Sequence, residues 1–225
     1  NDSKALMIYI HIPFCVRKCL YCDFLSAPAD EHTKKAYMEA LCREIHEKSV
    51  RYKDYKVSSI FFGGGTPTAV EADWIRQVME ILRKDYHISE DAEITMEMNP
   101  GTVDRQKLET YKELGINRLS IGLQSANNEE LRILGRIHTW EEFMQTWKLV
   151  REVGFTNVNI DLMSALPGQT LESYRQTVEK VLVLKPEHIS AYSLIVEEGT
   201  PFFDWFDEEA NGGVSFAKEV ADYVK

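Results

Sequence analysis

Six β-prone runs punctuate this chain, at Leu6–Ile12, Val57–Phe62, Glu93–Met98, Arg118–Leu123, Asn157–Met163 and His188–Ile195. Amphipathic stretches fill the gaps, at about Glu31–Lys48, Glu71–Tyr86, Asp104–Leu114, Thr139–Val153 and Leu171–Leu184. This rhythm predicts βαβ units and a parallel sheet, because parallel neighbours need a crossover long enough to hold a helix. The helix ends carry their own signals. Thr102 and Asp104 can cap one start and Gly115 follows its end; Thr139, with Glu142 three residues on, opens another that stops at Gly154. Six strands fall short of the eight of a closed barrel, which leaves a partial, open (β/α)6 barrel or a doubly wound sheet.

The faces of the strands choose between them. A parallel strand covered by helices on both sides reads as a continuous apolar run. Four of these alternate instead. Ile94, Met96 and Met98 oppose Glu93, Thr95 and Glu97; Leu119, Ile121 and Leu123 oppose Ser120, Gly122 and Gln124. Val158, Ile160 and Leu162 oppose Asn157, Asn159 and Asp161, and Ile8, Ile10 and Ile12 oppose Tyr9 and His11. One face is apolar for helices and the other polar for something else, which favours an α/β open barrel with a ligand-filled lumen.

Net charge is −10, from 36 acidic against 26 basic residues, which argues against a nucleic-acid backbone as partner. No long apolar run predicts an integral membrane segment and no secretory leader opens the chain, so the expected compartment is the cytoplasm. Four cysteines, three of them crowded, do not read as a disulfide framework.

Those three stand in "HIPFCVRKCLYCDF", directly after the first strand, at C-x3-C-x2-C spacing: Cys15, Cys19 and Cys22. A structural zinc site needs four protein ligands, and His11 is one candidate for the fourth although it lies on the strand itself. Cys42, within "YMEALCREI", reads as a small buried hydrophobe. A [4Fe-4S] cluster also wants four ligands; three thiolates leave one iron open to a small molecule. Arg17 and Lys18, inside the loop, can offset the cluster's negative charge. "FFGGGTPT" matches neither a phosphate loop nor a dinucleotide turn, but its glycines at a strand end permit close backbone approach. Glu97, Gln124 and Asp161 each stand near the C-terminal end of a strand on its polar face, where α/β barrels build sites. Arg136, in "ILGRIHT", can pair with a ligand carboxylate. Asn99–Pro100–Gly101 reads as a turn, with Asn99 within possible reach of a ligand.

The cysteine spacing, with Tyr21 just before Cys22, resembles the motif of the radical S-adenosylmethionine (SAM) superfamily. That resemblance implies a cluster whose open iron is chelated by SAM, reductive cleavage of SAM, and a glycine-rich segment at Phe61–Thr68 holding the methionine amino group. "YIHIPFC", "GGGTPT", "MEMNPGT", "SIGLQS", "LGRIH" and "DLMSALPGQT" further resemble, in order, segments of the oxygen-independent coproporphyrinogen III oxidase-like family. It implies SAM contacts from Tyr9, Gly64, Gly65, Thr66, Glu97, Gln124, Arg136, Asp161 and the backbone near Ile195, and a partial (β/α)6 barrel.

The oxidases of that family carry a further cysteine two residues beyond the third ligand, where this chain has Phe24. "YCDF" and "ISAYSLIVEEGTPF" resemble its heme chaperone branch. The implied partners are therefore SAM, heme or another tetrapyrrole, and a cytosolic electron donor. Tetrapyrrole chemistry (coproporphyrinogen decarboxylation or heme breakdown) and methyl transfer are the alternatives. Residues 1–203 read as the barrel. Residues 204–225 read as a C-terminal extension, a candidate start of an accessory domain, with Phe216, Val220 and Val224 on one helical stripe.

Overall fold

The structure, a computed structural model, describes residues 4–206. The expected stripe of Phe216, Val220 and Val224 lies outside the described residues. Strand β1 (Lys4–Ile12) is followed by α1 (Glu31–Ser49), β2 (Tyr55–Gly64), α2 (Ala72–Asp85) and β3 (His87–Met98). Then come α3 (Arg105–Glu113), β4 (Arg118–Gln124), the short α4 (Asn128–Ile133), α5 (Trp140–Val153) and β5 (Val158–Ser164). Helix α6 (Leu171–Val183), β6 (His188–Ser193) and α7 (Pro201–Phe206) complete it.

Local chemistry sets the helix ends. Asp104 accepts from the Lys107 amide at 2.8 Å, Thr139 forms a reciprocal capping box with Glu142, and Gly154 takes the left-handed conformation (φ 94°) after α5. Two short helices have weaker sequence signals. Asn127 caps α4 by accepting from the Glu129 amide at 2.9 Å, and Pro201 is the first residue of α7. Helix α7 thus runs across residue 203, where the extension was expected to begin.

All six strands are parallel and lie in sequence order, β1 to β6, with β1 and β6 at the two edges among the described residues. Crossovers of one hand then put α1, α2, α3, α5 and α6 on the same side of the curved sheet. Between that layer and the strands lies the main core, with Ile60, Phe62, Met96, Leu119, Ile121, Val158 and Ile160 all at 0% exposure from the sheet. A smaller cluster of Leu134, Met163, Leu166, Leu194 and Phe202 sits under the cysteine loop.

The inner face is polar as expected, but the protein fills part of it. Asn159 (1% exposed) donates to Ser120 Oγ at 2.8 Å and to Asp161 Oδ1 at 2.7 Å, and accepts from Ser190 Oγ at 3.0 Å. Nearer the N-terminal strand ends, Arg118 spans from Thr95 Oγ1 (3.4 Å) to His188 Nδ1 (2.9 Å). Those side chains satisfy one another, which leaves ligand space at the C-terminal strand ends.

Candidate functional site

The loop between β1 and α1 is held by backbone bonds on several sides. Gly65 N donates to Ile12 O at 2.9 Å, Thr66 N to Phe14 O at 2.7 Å and Cys15 N to Ala27 O at 3.2 Å. Leu20 N donates to Leu134 O at 3.1 Å, and Phe202 N to Leu20 O at 3.2 Å. Glycine is required at this crossing: a Cβ on Gly65 would lie 2.6 Å from Phe14 O and 2.8 Å from Cys15 Sγ. The glycine-rich turn after β2 therefore abuts the loop that presents the thiols.

A cavity of about 400 Å³ opens at the C-terminal strand ends, in the size range of small-molecule and cofactor sites. Cys15, Cys19, Cys22, Gly64, Gly65, Thr66, Glu97, Gln124, Arg136, Asp161 and Ile195 all line it. Tyr9 does not. Its ring stacks on Phe61 (centroids 6.0 Å apart) and its hydroxyl meets His11 Nδ1 at 3.1 Å, leaving it 58% exposed on the edge strand.

The acidic wall is strained electrostatically. Burial and the Asp161 charge push Glu97 up to about 7, although the Gly64 amide, 3.3 Å from Glu97 Oε2, opposes the shift. Burial also raises Asp161, against hydrogen bonds from Asn159 and Ser190. Two carboxyls that repel one another across a cavity suit a ligand bearing positive charge. Gln124 sits beside them in the left-handed region (φ 73°), an unusual conformation for a residue with a side chain. The β4–β5 register shifts between Gly122 and Gln124, and Tyr192 donates its hydroxyl to Gln124 Oε1 at 2.9 Å.

Arg136 is committed to the protein: it donates to Asn99 Oδ1 at 2.8 Å, to Gly122 O, and to Cys19 Sγ at 3.5 Å. Asn99 is accordingly more than a turn residue. Its amide donates to Thr66 Oγ1 at 2.8 Å. Tyr192, Ser120 and Met163 also line the cavity without having been singled out in the sequence; their positions on polar faces or strand ends were the only available signal.

The donor set fits an iron–sulfur cube better than zinc. Both His11 nitrogens are occupied, by Tyr9 OH and by Leu25 O at 2.9 Å. Among the described residues no three His, Cys, Asp or Glu side chains gather closely enough to hold a single metal ion. A cube takes one thiolate per corner iron, so its ligands stand wider apart than those of a mononuclear site. Burial raises the Cys22 thiol, a cost that coordination removes. Cys42 packs against the main core, away from the loop.

Comparison with known proteins agrees with this geometry. The family model described as "Radical SAM superfamily" matches residues 9–181. The chain is 40% identical over 202 residues to the heme chaperone HemW of Haemophilus influenzae, covering 88% of this chain and 53% of that one. It is 39% identical over 198 residues to HemW of Escherichia coli, covering 88% and 52%. Among solved structures, coproporphyrinogen III oxidase (HemN) from Escherichia coli superposes with a TM-score of 0.80 at 33% identity, over 86% of this chain and 45% of that one. The chain spans about half the length of the curated relatives it matches. No described helix is long and apolar enough to cross a membrane. Six parallel strands in an open half-barrel, a three-thiol loop after the first of them and these matches lead to one assignment: the chain belongs to the radical SAM superfamily, within its oxygen-independent coproporphyrinogen III oxidase-like group.

Proposed function

We propose that this chain holds a [4Fe-4S] cluster and SAM in a cytoplasmic heme chaperone. The convergence of three thiols and two mutually repelling carboxyls on one cavity carries the cofactor part of this reading. Cys15, Cys19 and Cys22 would hold the cluster through their thiolates. When bound, the cluster supplies one electron and SAM a sulfonium whose carbon–sulfur bond that electron can break.

The chain's own residues bind and orient. Glu97 and Asp161 offer anionic oxygens to the ligand's ammonium, sulfonium or ribose hydroxyls, and a cation there relieves their repulsion. Gln124, aimed by Tyr192, adds a neutral amide, and Gly64, Gly65 and Thr66 bring backbone close to the Cys15 side of the cavity. Arg136, engaged by Asn99 and Gly122, serves as a wall and a donor to Cys19. Tyr9 stands outside the cavity, on the edge strand beside Phe61 and His11. Residues 1–203 carry this function and residues 204–225 extend from it.

Similarity to HemW supports heme as the cargo, as does Phe24, 64% exposed at the cavity rim where the oxidases of the group carry a further cysteine. The fold match to HemN favours a second reading, tetrapyrrole oxidation. One anaerobic experiment separates them: reconstitute, add dithionite and SAM, and measure 5′-deoxyadenosine with and without heme or coproporphyrinogen. Heme binding without SAM consumption is expected. Turnover that rises with coproporphyrinogen would replace the chaperone by the enzyme, and iron-free protein with stoichiometric zinc would overturn both.

A further inference from the structure

Behind the cysteine loop, three side chains from separate parts of the fold form one directed hydrogen-bond chain. Thr66 follows β2, Asn99 follows β3 and Arg136 follows α4. A guanidinium can only donate, so Asn99 must turn its Oδ1 toward Arg136 Nη2, 2.8 Å away. That orientation presents Asn99 Nδ2 to Thr66 Oγ1 at 2.8 Å. With its oxygen accepting from Asn99, the Thr66 hydroxyl is left to donate its single proton to Cys15 Sγ, at 3.8 Å. The other end of the chain is Arg136 Nη1, which donates to Cys19 Sγ at 3.5 Å. One amide thus orients the Thr66 hydroxyl and helps hold the guanidinium, supporting donors to two of the three loop sulfurs.

Arg136 makes no bond to a carboxylate in this wall; its partners are an amide oxygen, a carbonyl and a sulfur. A partly buried cation with neutral partners is costly unless an anion lies close by. The Asp161 carboxylate already acts on this cation; cysteine thiolates ligating iron would add a second anion directly beside Arg136 Nη1, so the chain makes better electrostatic sense around a loaded loop than around free thiols.

We propose that Asn99, Thr66 and Arg136 tune the reduction potential of the cluster, with Asn99 as the positioning residue that aims the other two. Hydrogen bonds to ligating sulfurs withdraw electron density and favour the more negative, reduced state, which raises the potential. The inference rests on Cys15, Cys19 and Cys22 being the cluster ligands.

The test is an anaerobic redox titration of the reconstituted protein without SAM, monitored by electron paramagnetic resonance. Thr66→Val, an isosteric change at an extended position (φ −140°), removes only the hydroxyl, whereas Thr66→Ser keeps it. At a fixed applied potential, Thr66→Val and Asn99→Leu should lower the reduced-to-oxidised ratio severalfold; a tenfold fall is about 59 mV for a one-electron couple. Thr66→Ser should return to the wild-type ratio. Thr68→Val, which breaks the nearby 2.6 Å Thr68–Thr102 hydroxyl pair without touching a sulfur, should match it too. Cluster-loaded Thr66→Val and Asn99→Leu at the wild-type potential would overturn the inference. If neither variant assembles a cluster, transfer of the wild-type protein to D2O supplies the answer: iron–sulfur stretching bands unmoved by deuterium would equally overturn it. A wild-type protein that takes up no cluster would instead overturn the ligand assignment.

Discussion

Replacing Glu97 by Gln should make the cluster-free, SAM-free protein more stable, and only above a definite pH. The carboxyl lies in the cavity wall, where burial and then the like charge of Asp161 raise its pKa from 4.5 to about 7. Folded protein therefore binds a proton between those values that unfolded chain has released. Its stability falls as pH rises through that window, because more protons are held in the folded state. At ~1.36 kcal/mol per pH unit, the full interval corresponds to about 3 kcal/mol. Glutamine has no proton to lose and keeps an acceptor for the Gly64 amide. The stability advantage of Glu97→Gln should thus be near zero at pH 4.5 and grow to about 3 kcal/mol by pH 8. Urea denaturation at four or five pH values measures it. Parallel pH profiles for the two proteins, or a loss of stability in the variant at pH 8, would refute the electrostatic reasoning. The same substitution should weaken SAM binding, since the repulsion that costs stability is what a cationic ligand relieves.

Other outcomes follow from the same geometry. Alanine at Cys15, Cys19 or Cys22 should abolish cluster assembly by iron and sulfide analysis, whereas Cys42→Ala should leave it intact. Asp161→Ala should weaken SAM binding by roughly tenfold or more, the scale of a lost hydrogen bond to a charged group, with iron content unchanged. Gly65→Ala should cost about 1–3 kcal/mol through the clash of its Cβ with Phe14 O and Cys15 Sγ, and should lower cluster occupancy by the same iron and sulfide analysis. Tyr192→Phe, which removes the hydroxyl that orients Gln124, should weaken SAM binding severalfold while sparing the cluster.

Local pattern made the architecture legible. Strand and helix periods, caps at Asp104 and Thr139 and the C-x3-C-x2-C loop are short-range features, readable because each depends on neighbours a few residues away. The polar strand faces located Glu97, Gln124 and Asp161 by the same period-two logic. Helices α4 and α7, six residues each, are too short to show a helical period and were missed.

Placement across strands was not legible. Nothing in the sequence ties Asn99 to Thr66 or Arg136 to Cys19, because those contacts depend on how separate strand ends come together. The bulge between Gly122 and Gln124 turns Gln124 into its left-handed pose, and edge position leaves Tyr9 outside the cavity that its alternating face suggested. The lower lumen is filled by Arg118 and by Asn159, a polar-face residue whose partners turn out to be the protein's own side chains. The sequence by itself determined which residues could face a ligand, since side-chain direction alternates along each strand. Only the tertiary structure decided which of them do, since register and curvature set which strand ends share a cavity.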